Sequence, residues 1–153
     1  MSDFEARLAE LGLTLPEAPA PAANYVPFVI SGTLVFVSGQ IALGTDGPMR
    51  GRLGADFDVA AGQHAAQACG LALIAQLRAA LGGDLSRLVQ VVKLTGFVNS
   101  TPEFTDQPAV VNGASDLMVA VFGDRGRHAR AAVGCAALPL GVAVEIEGIF
   151  RIA

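Results

Sequence analysis

The stretch ARAAVGCAALPLGVAVEIEGI, residues 129–149, decides the expected fold of this chain. Small and aliphatic residues with several valines and isoleucines fill both of its halves, which favours β-strands. Leu138–Gly141 separates the halves with the Pro and Gly of a turn. The pattern therefore predicts two strands joined as a hairpin. Three charged residues, Arg130, Glu145 and Glu147, lie within this apolar stretch and need a physical reason to be there.

Pairing the two strands around the turn gives one such reason. Gly134 then faces Glu145, and Ala132 faces Glu147. Arg130 projects from the same face, with Glu147 as its diagonal neighbour. The small residues opposite the glutamates leave space for a ligand beside one anion receptor and one candidate base. The alternative is a cross-strand ion pair that only neutralises buried charges.

The residues before this stretch predict three helices and three strands. Helical apolar spacing and helix-ending glycines predict helices over 4–11, 58–81 and about 108–122. β-Branched runs predict strands over 28–31, 34–38 and 87–100. The connecting segments are an extended proline-alanine connector at 16–25 and a glycine-rich loop at 42–57.

Capping residues mark where the two longer helices should begin. Asp56 or Asp58 is expected to cap the first of them, and Thr101 or Asp106 the second. Pro108 suits a first helical turn. These signals support the predicted helix starts but do not choose between the candidates.

The composition and the order of elements indicate the fold class. Hydrophobic residues make up 52% and charged residues 16% of the 153-residue chain, which is poor in charge for a globular domain. We expect one domain over 1–153, with an N-terminal helix and connector at 1–22 and a core at 23–153. The element order predicts an α+β fold in which a mixed sheet carries two helices on one face. The charge-poor strands predict that other copies of the chain cover the second face.

Several classes of function are disfavoured by the same totals. The net charge is −4, so the basic patch that nucleic acids require is not expected. His64 and His128 lack metal-ligand spacing, and no metal or organic cofactor is expected. Cys69 and Cys135 are expected to be reduced thiols, which with no signal-peptide pattern predicts a cytoplasmic protein. Prolines interrupt the uncharged stretch 18–45, so no membrane span is expected.

Three segments together resemble the RidA/YjgF family of enamine/imine deaminases. They are YVPFVISGTLVFVSGQI at 25–41, LSRLVQVVKLTGFV at 85–98, and ARAAV followed by ALPLGVAVEIEGI at 129–149. The most specific part is A-R-x-x-V followed by L-P and then V-E-I-E. The resemblance spans residues 25–152, which is most of the chain.

The resemblance implies a fold, an assembly and an activity. The fold is chorismate-mutase-like, and the assembly is a homotrimer with ligand clefts between subunits. The activity is hydrolysis of reactive 2-imino acids, formed from enamines, to 2-keto acids and ammonia, without a metal or cofactor. Carried over to this sequence, Arg130 binds the substrate carboxylate and Glu145 positions water. Tyr25, Asn112 and Gly39 of the S-G-Q-I run are the other expected substrate-binding residues.

Differences from the family pattern leave two alternatives open. His128 stands where the family often has a small residue or proline, and Ala132 stands where many members have cysteine. The N-terminal helix and the loop at 44–54 indicate a longer, N-terminally extended subgroup. One alternative is a non-catalytic trimer that binds small carboxylates or keto acids as a sensor. The other is a ribonuclease, which would need a basic groove that this acidic chain does not predict.

Overall fold

The computed structural model describes residues 2–18, 20 and 23–153 as an α+β fold. Its helices are α1 (Asp3–Glu10), α2 (Val59–Ala80) and α3 (Gln107–Phe122). Its strands are β1 (Phe28–Ser31), β2 (Leu34–Ile41), β3 (Leu43–Gly44), β4 (Gly47–Pro48), β5 (Leu88–Asn99), β6 (Ala129–Cys135) and β7 (Val144–Ile152). The predicted helices and strands are confirmed with small shifts at their ends, and the glycine-rich loop also contains the short β3–β4 pair. The predicted extended connector includes Pro19, Pro21 and Ala22, which lie outside the described residues.

The five-stranded sheet has the order β1-β2-β7-β5-β6. β5 and β6 are parallel, and the other neighbouring pairs are antiparallel. The predicted hairpin between the last two strands is therefore wrong, because β5 lies between them. Arg130 is aligned with Leu94 of β5, whereas Glu147 is aligned with Thr95 on the opposite edge of the same strand.

β5 takes an interior place in the sheet, between β7 and β6, because it has apolar surface to bury. Its core-facing residues Val91, Leu94 and Val98 are fully buried, and a strand buried in this way is stabilised by hydrogen-bonded partners on both edges. The connection from β6 to β7 crosses the end of β5 through a 3-10 turn at Pro139–Gly141. Leu140 and Gly141 adopt left-handed conformations there, with φ of 57° and 71°, which turns the chain back sharply.

This strand order separates the charged side chains. In β7, Val144, Ile146 and Gly148 are buried toward the helices, whereas Glu145 and Glu147 alternate to the other face. Arg130 instead projects toward α3, where its side chain forms hydrogen bonds. The prediction that Arg130 shares a face with the two glutamates is therefore wrong.

Helices α2 and α3 pack side by side over one face of the sheet, as predicted. Their backbones come so close that a Cβ on Gly113 would collide with the backbone carbonyl of Gln63. Helix α1 docks at their edge, where the Phe4 and Phe122 rings meet edge-to-face with centroids 5.0 Å apart. The core lies between this helical layer and the sheet.

The other side of the sheet, which we call the open face, is not covered by the described part of the chain. It carries apolar side chains from several strands, with Val29, Phe36 and Val133 exposed to 53%, 41% and 46%. Ile149 and Phe97 lie between them and are partly buried. Lys93, Thr95 and Glu147 share this face and separate Ile149 from Phe97. Exposed apolar patches of this kind are typical of a subunit interface.

Candidate functional site

Glu145 lies in a cavity of about 470 Å³ at the end of the sheet where β2 and β7 meet. Tyr25 and Gly39 line the same cavity, so three of the residues predicted for the site, Glu145, Tyr25 and Gly39, are brought together. Gln40 also lines it. Its remaining walls are largely apolar and come from the N-terminal segment, α2 and the turn before β7. They include Pro16, Ile41, Leu43, Ala68, Ala72 and Leu140. The size is within the range of small-molecule sites.

An irregularity in β2 makes room for the Glu145 carboxylate. The pairing of β2 with β7 shifts between Val37 and Gln40, which is a β-bulge of the kind that redirects side chains near sites. A Cβ on Gly39 would stand 2.7 Å from Oε1 of Glu145. Glycine is therefore required at this point for the carboxylate to keep its position. Ser38 fixes the bulge by donating a 2.8 Å hydrogen bond to the Val26 carbonyl, next to Tyr25.

The surroundings of Glu145 favour its neutral form more than water does. Burial raises the pKa of the Glu145 carboxyl, and the negative charge of Glu147 raises it further. Among the described residues, no lysine or arginine forms an ion pair with Glu145. A carboxylate with a raised pKa in an apolar cavity is a better proton acceptor than an exposed one, which suits a general base.

Arg130 belongs to a second cluster, between the edge strand β6 and α3. Its Nη1 donates a 2.8 Å hydrogen bond to Oδ1 of Asn112 and a 3.2 Å hydrogen bond to Oγ of Ser115. Asn112 and Ser115 are three residues apart on α3, so both side chains emerge on the same side of the helix. Arg130 and Asn112, which were each predicted to bind substrate, are thus in direct contact.

The free edge of this guanidinium is the feature most relevant to binding. In the described part of the chain, Arg130 forms hydrogen bonds only through Nη1 and has no carboxylate partner. The Nε and Nη2 groups present a planar pair of donors that matches a carboxylate in two parallel hydrogen bonds. The alternative of a cross-strand ion pair with Glu145 or Glu147 is therefore wrong, since the glutamates lie on the other face.

Ser115 and His128 join this cluster, although neither was singled out for it from the sequence. Oγ of Ser115 lies 2.8 Å from Nε2 of His128, and Nδ1 of His128 lies 2.6 Å from the Gly126 carbonyl oxygen. Burial lowers the pKa of the His128 imidazole, and the positive charge of Arg130 lowers it further despite the bond to Gly126. The spacing of Ser115 from Asn112 along α3 was the available signal.

The two clusters occupy different parts of one chain. Tyr25, Gly39 and Glu145 line the cavity, whereas Arg130 and Asn112 meet at the outer edge of β6 on the helical side. A single chain therefore does not place its anion receptor beside its candidate base. Any site that uses both must be completed by a second copy of the chain.

Other reactive groups do not add to either cluster. Both cysteines are free thiols; Cys69 is buried and Cys135 is partly buried. Burial raises the pKa of the Cys69 thiol well above its ordinary value, which makes it inert. Within residues 2–18, 20 and 23–153 no group of three or more His, Cys, Asp and Glu side chains is arranged to hold a metal ion. None of the helices described is long and apolar enough to cross a membrane.

Comparison with known proteins places these features in a family context. Residues 5–147 match a family model described as YjgF/chorismate-mutase-like, a description that also includes an endoribonuclease assignment. Protein TCP17 of Trypanosoma cruzi is 53% identical over 149 residues, which cover 96% of this chain and 92% of that protein.

Two solved structures show how closely the fold is shared. Protein Atu1372 of Agrobacterium tumefaciens is 53% identical, with a TM-score of 0.91 over 98% of this chain and 93% of that one. RidA from the Antarctic bacterium Psychrobacter sp. PAMC 21119 is 29% identical, with a TM-score of 0.56 over 89% of this chain and 94% of that one. The similarity therefore includes both a close relative and a structure named RidA.

Proposed function

The chain belongs to the YjgF/chorismate-mutase-like family, and on that premise we propose that it hydrolyses reactive 2-imino acids to 2-keto acids and ammonia. The observation that carries the proposal is the Arg130 guanidinium. Its Nη1 is held by Asn112 and Ser115, while its Nε–Nη2 edge has no partner among the described residues. Such an edge is suited to a planar carboxylate, which every 2-imino acid has next to its C=N carbon.

Arg130 is proposed to bind and orient the substrate. Two parallel hydrogen bonds to the carboxylate fix the direction of the C=N group, and holding reactants in place accounts for much of the rate enhancement in such reactions. Asn112 supports the guanidinium through its 2.8 Å hydrogen bond. Tyr25 and Gly39 line the cavity in which the rest of the substrate would lie.

Glu145 is proposed to activate water. The carboxylate takes a proton from water as the water oxygen attacks the C=N carbon, giving a tetrahedral carbinolamine. The carboxyl group returns this proton to the nitrogen, which completes the carbinolamine, and the carboxylate then takes the hydroxyl proton and passes it to the same nitrogen. As the C–N bond breaks, the C=O bond of the keto acid forms and ammonia leaves with both protons of the water. The raised pKa of Glu145 favours the first step. The residues alone balance this reaction, so we propose that it needs no metal or organic cofactor.

We further propose that the protein acts as a homotrimer with sites shared between subunits. The Arg130–Asn112 cluster of one subunit would face the Glu145–Tyr25–Gly39 cavity of its neighbour. Two features support this arrangement: the separation of the two clusters in one chain, and the apolar open face with its exposed Val29, Phe36 and Val133. The proposed setting is the cytoplasm, with a small 2-imino acid as substrate.

The test is an assay with freshly generated 2-iminopropanoate. Wild-type protein should release ammonia well above the spontaneous rate. Glu145→Gln should retain 2-oxobutyrate binding but slow turnover by roughly 10²- to 10⁴-fold, the span of a lost general base. Glu147→Gln is the matched control, because it removes an exposed carboxylate two residues away on the same strand.

Two outcomes would contradict the proposed activity. Binding of 2-oxobutyrate by the wild type without any acceleration of hydrolysis would indicate a keto-acid sensor. Equal turnover by Glu145→Gln and Glu147→Gln in correctly folded protein would transfer the role of base away from Glu145.

A further inference from the structure

The Arg130 cluster continues through Ser115 and His128 to the backbone, and the direction of its hydrogen bonds can be deduced. The Gly126 carbonyl oxygen can only accept, so the hydrogen in the 2.6 Å contact lies on Nδ1 of His128. In a neutral imidazole Nε2 is then bare and accepts from the Ser115 hydroxyl 2.8 Å away. Because the hydroxyl hydrogen of Ser115 points at His128, the lone pairs of Oγ are free to accept the hydrogen bond from Arg130 Nη1 at 3.2 Å.

From this chain of bonds we propose that Ser115 and His128 are positioning residues for Arg130. Neutral His128 orients the Ser115 hydroxyl so that its lone pairs face Nη1, and Asn112 takes the second Nη1 hydrogen. With both hydrogens of Nη1 engaged, the guanidinium plane is fixed and its Nε–Nη2 edge is directed at the carboxylate. The inference rests on the proposed role of Arg130 as the carboxylate receptor.

The far end of this chain is held rigidly. Gly126 is buried in the 3-10 turn that follows α3, and a Cβ there would collide with the Met118 carbonyl of α3. The Gly126 carbonyl is therefore fixed relative to the helix that also carries Asn112 and Ser115. The imidazole bridges the fixed Gly126 carbonyl and the Ser115 hydroxyl. Arg130 is therefore held relative to α3 both directly, through Asn112 and Ser115, and through His128.

The charges around His128 favour the neutral ring that the arrangement needs. Arg127 precedes His128, and Arg130 follows it two residues later in β6. Arg151 of β7 and the neutral Gln90 of β5 line the same groove as His128. From α3 the facing group is the uncharged Ser115. No carboxylate lines this groove among the described residues. The bond to Gly126 favours an imidazolium, but burial and the positive charge of Arg130 together lower the pKa of the ring.

Protonation of His128 would work against the arrangement. Nε2 would become a donor to Ser115, so the hydroxyl would lose its acceptor and its hydrogen would have to turn elsewhere. A second cation would also stand beside the guanidinium. A side chain at position 128 that cannot accept a hydrogen bond from Ser115 should therefore leave the Arg130 guanidinium less well oriented.

The test measures 2-oxobutyrate affinity by titration calorimetry in two backgrounds. Ser115→Ala should weaken binding by about three- to tenfold, the effect of one net hydrogen bond. Ser115→Thr keeps the hydroxyl and should recover most of the affinity. In an Arg130→Ala background, Ser115→Ala should have no further effect, since there is no guanidinium left to position.

His128 variants give a second and independent comparison. His128→Gln offers an acceptor to Ser115 and should weaken binding less than His128→Ala does. Nitrogen-15 NMR of wild-type protein should show His128 neutral with its hydrogen on Nδ1 near neutral pH. These measurements do not require turnover, so they remain informative if the proposed hydrolysis fails while Arg130-dependent binding is observed.

Three outcomes would overturn the inference. One is wild-type affinity in Ser115→Ala and His128→Ala. Another is an equal loss of affinity from Ser115→Ala in the wild-type and Arg130→Ala backgrounds, which would indicate a general structural effect. The third is 2-oxobutyrate affinity that is the same with and without Arg130, which would also remove the carboxylate receptor from the proposed function.

Discussion

At the scale of single residues, the chain keeps its reactive charges apart. Arg130 on β6 and Glu145 on β7 lie on either side of β5, on opposite faces of the sheet, and neither forms an ion pair within the described residues. Arg130 is instead held by neutral partners, Asn112 and Ser115. Each charge therefore remains available to an external group, which is what binding and catalysis require.

Loss of Arg130 should affect binding far more than folding. Arg130→Ala leaves no buried carboxylate unpaired, so the melting temperature should fall little. Breaking a buried ion pair would instead lower the free energy of unfolding by about 3–5 kcal/mol. Binding of 2-oxobutyrate should weaken by about 1.5–3 kcal/mol, the scale of hydrogen bonds to a charged group. Arg130→Lys should recover only part of this affinity, because it lacks the planar fork.

A thermal melt and a 2-oxobutyrate titration of each variant test this forecast. A large drop in melting temperature with unchanged affinity would show that Arg130 serves the fold alone.

The acid limb of the pH–rate profile should belong to Glu145. Its pKa is raised by burial and by Glu147, so the active carboxylate form should be lost, as pH falls, at values above the ordinary 4.5 of glutamic acid. Glu147→Gln removes the like charge, so the limb should move to lower pH. The measurement is kcat/KM for 2-iminopropanoate against pH, corrected for spontaneous hydrolysis. If Glu147→Gln moves the acid limb of the profile to higher pH, or leaves it in place, the limb does not report the ionisation of Glu145.

At the scale of elements, the structure distinguishes helix caps that the sequence left as alternatives. Asp58 caps α2, with Oδ1 accepting a 2.8 Å hydrogen bond from the Ala61 amide. Asp106 stands at the start of α3 but makes no capping hydrogen bond with its side chain. Asp56 instead accepts from the Arg52 amide at 2.7 Å and belongs to the preceding loop. Residue type alone thus identified cap positions, whereas geometry decided which of them stabilise a helix.

Substitution of the two aspartates should give different losses of stability. Asp58→Ala should lower the free energy of unfolding by about 1 kcal/mol, the usual effect of losing an N-cap. Asp106→Ala, the matched control, should change it by less, since no capping bond is lost. Urea denaturation of both variants measures the difference. Equal losses would show that the side-chain bond of Asp58 contributes nothing measurable.

At the scale of the whole molecule, one chain keeps the two proposed halves of the site apart. The cavity with Glu145 and the cluster with Arg130 lie apart, while the open face offers an apolar surface for association. From the sequence alone, chains altered at Arg130 and at Asn112 would be expected to complement each other in mixed trimers. The structure corrects this expectation, because those two residues are hydrogen-bonded partners in the same cluster.

Mixed trimers should therefore recover activity only when the two changes lie in different clusters. Arg130→Ala chains mixed with Glu145→Gln chains should restore about a quarter of the sites in a random mixture, if each site takes one cluster from each of two neighbours. Arg130→Ala mixed with Asn112→Ala is the control and should restore none. Subunit exchange is checked by mass spectrometry and the trimer by light scattering. A monomer mass at micromolar concentration, or no recovery despite proven exchange, would contradict the shared site.

The sequence by itself determined the elements and the residue types. Helical apolar spacing and β-branched runs fixed the helices and strands within a few residues, because these patterns follow from local backbone geometry. The family pattern indicated Arg130, Glu145, Tyr25, Asn112 and Gly39. The grouping of Tyr25, Gly39 and Glu145 in one cavity, and of Arg130 with Asn112, is consistent with that choice.

Only the tertiary structure decided how these residues are arranged. The last two strands follow each other closely in sequence, and a hairpin is the local solution for such a pair. The buried β5 requires hydrogen-bonded neighbours on both edges, and this long-range demand places it between β6 and β7. With β5 between β6 and β7, Arg130 and Glu145 lie on opposite faces of the sheet, and the Arg130 guanidinium lies next to Ser115 and close to His128. No local pattern could show this, since the cause lies in a strand some thirty residues or more away in the sequence.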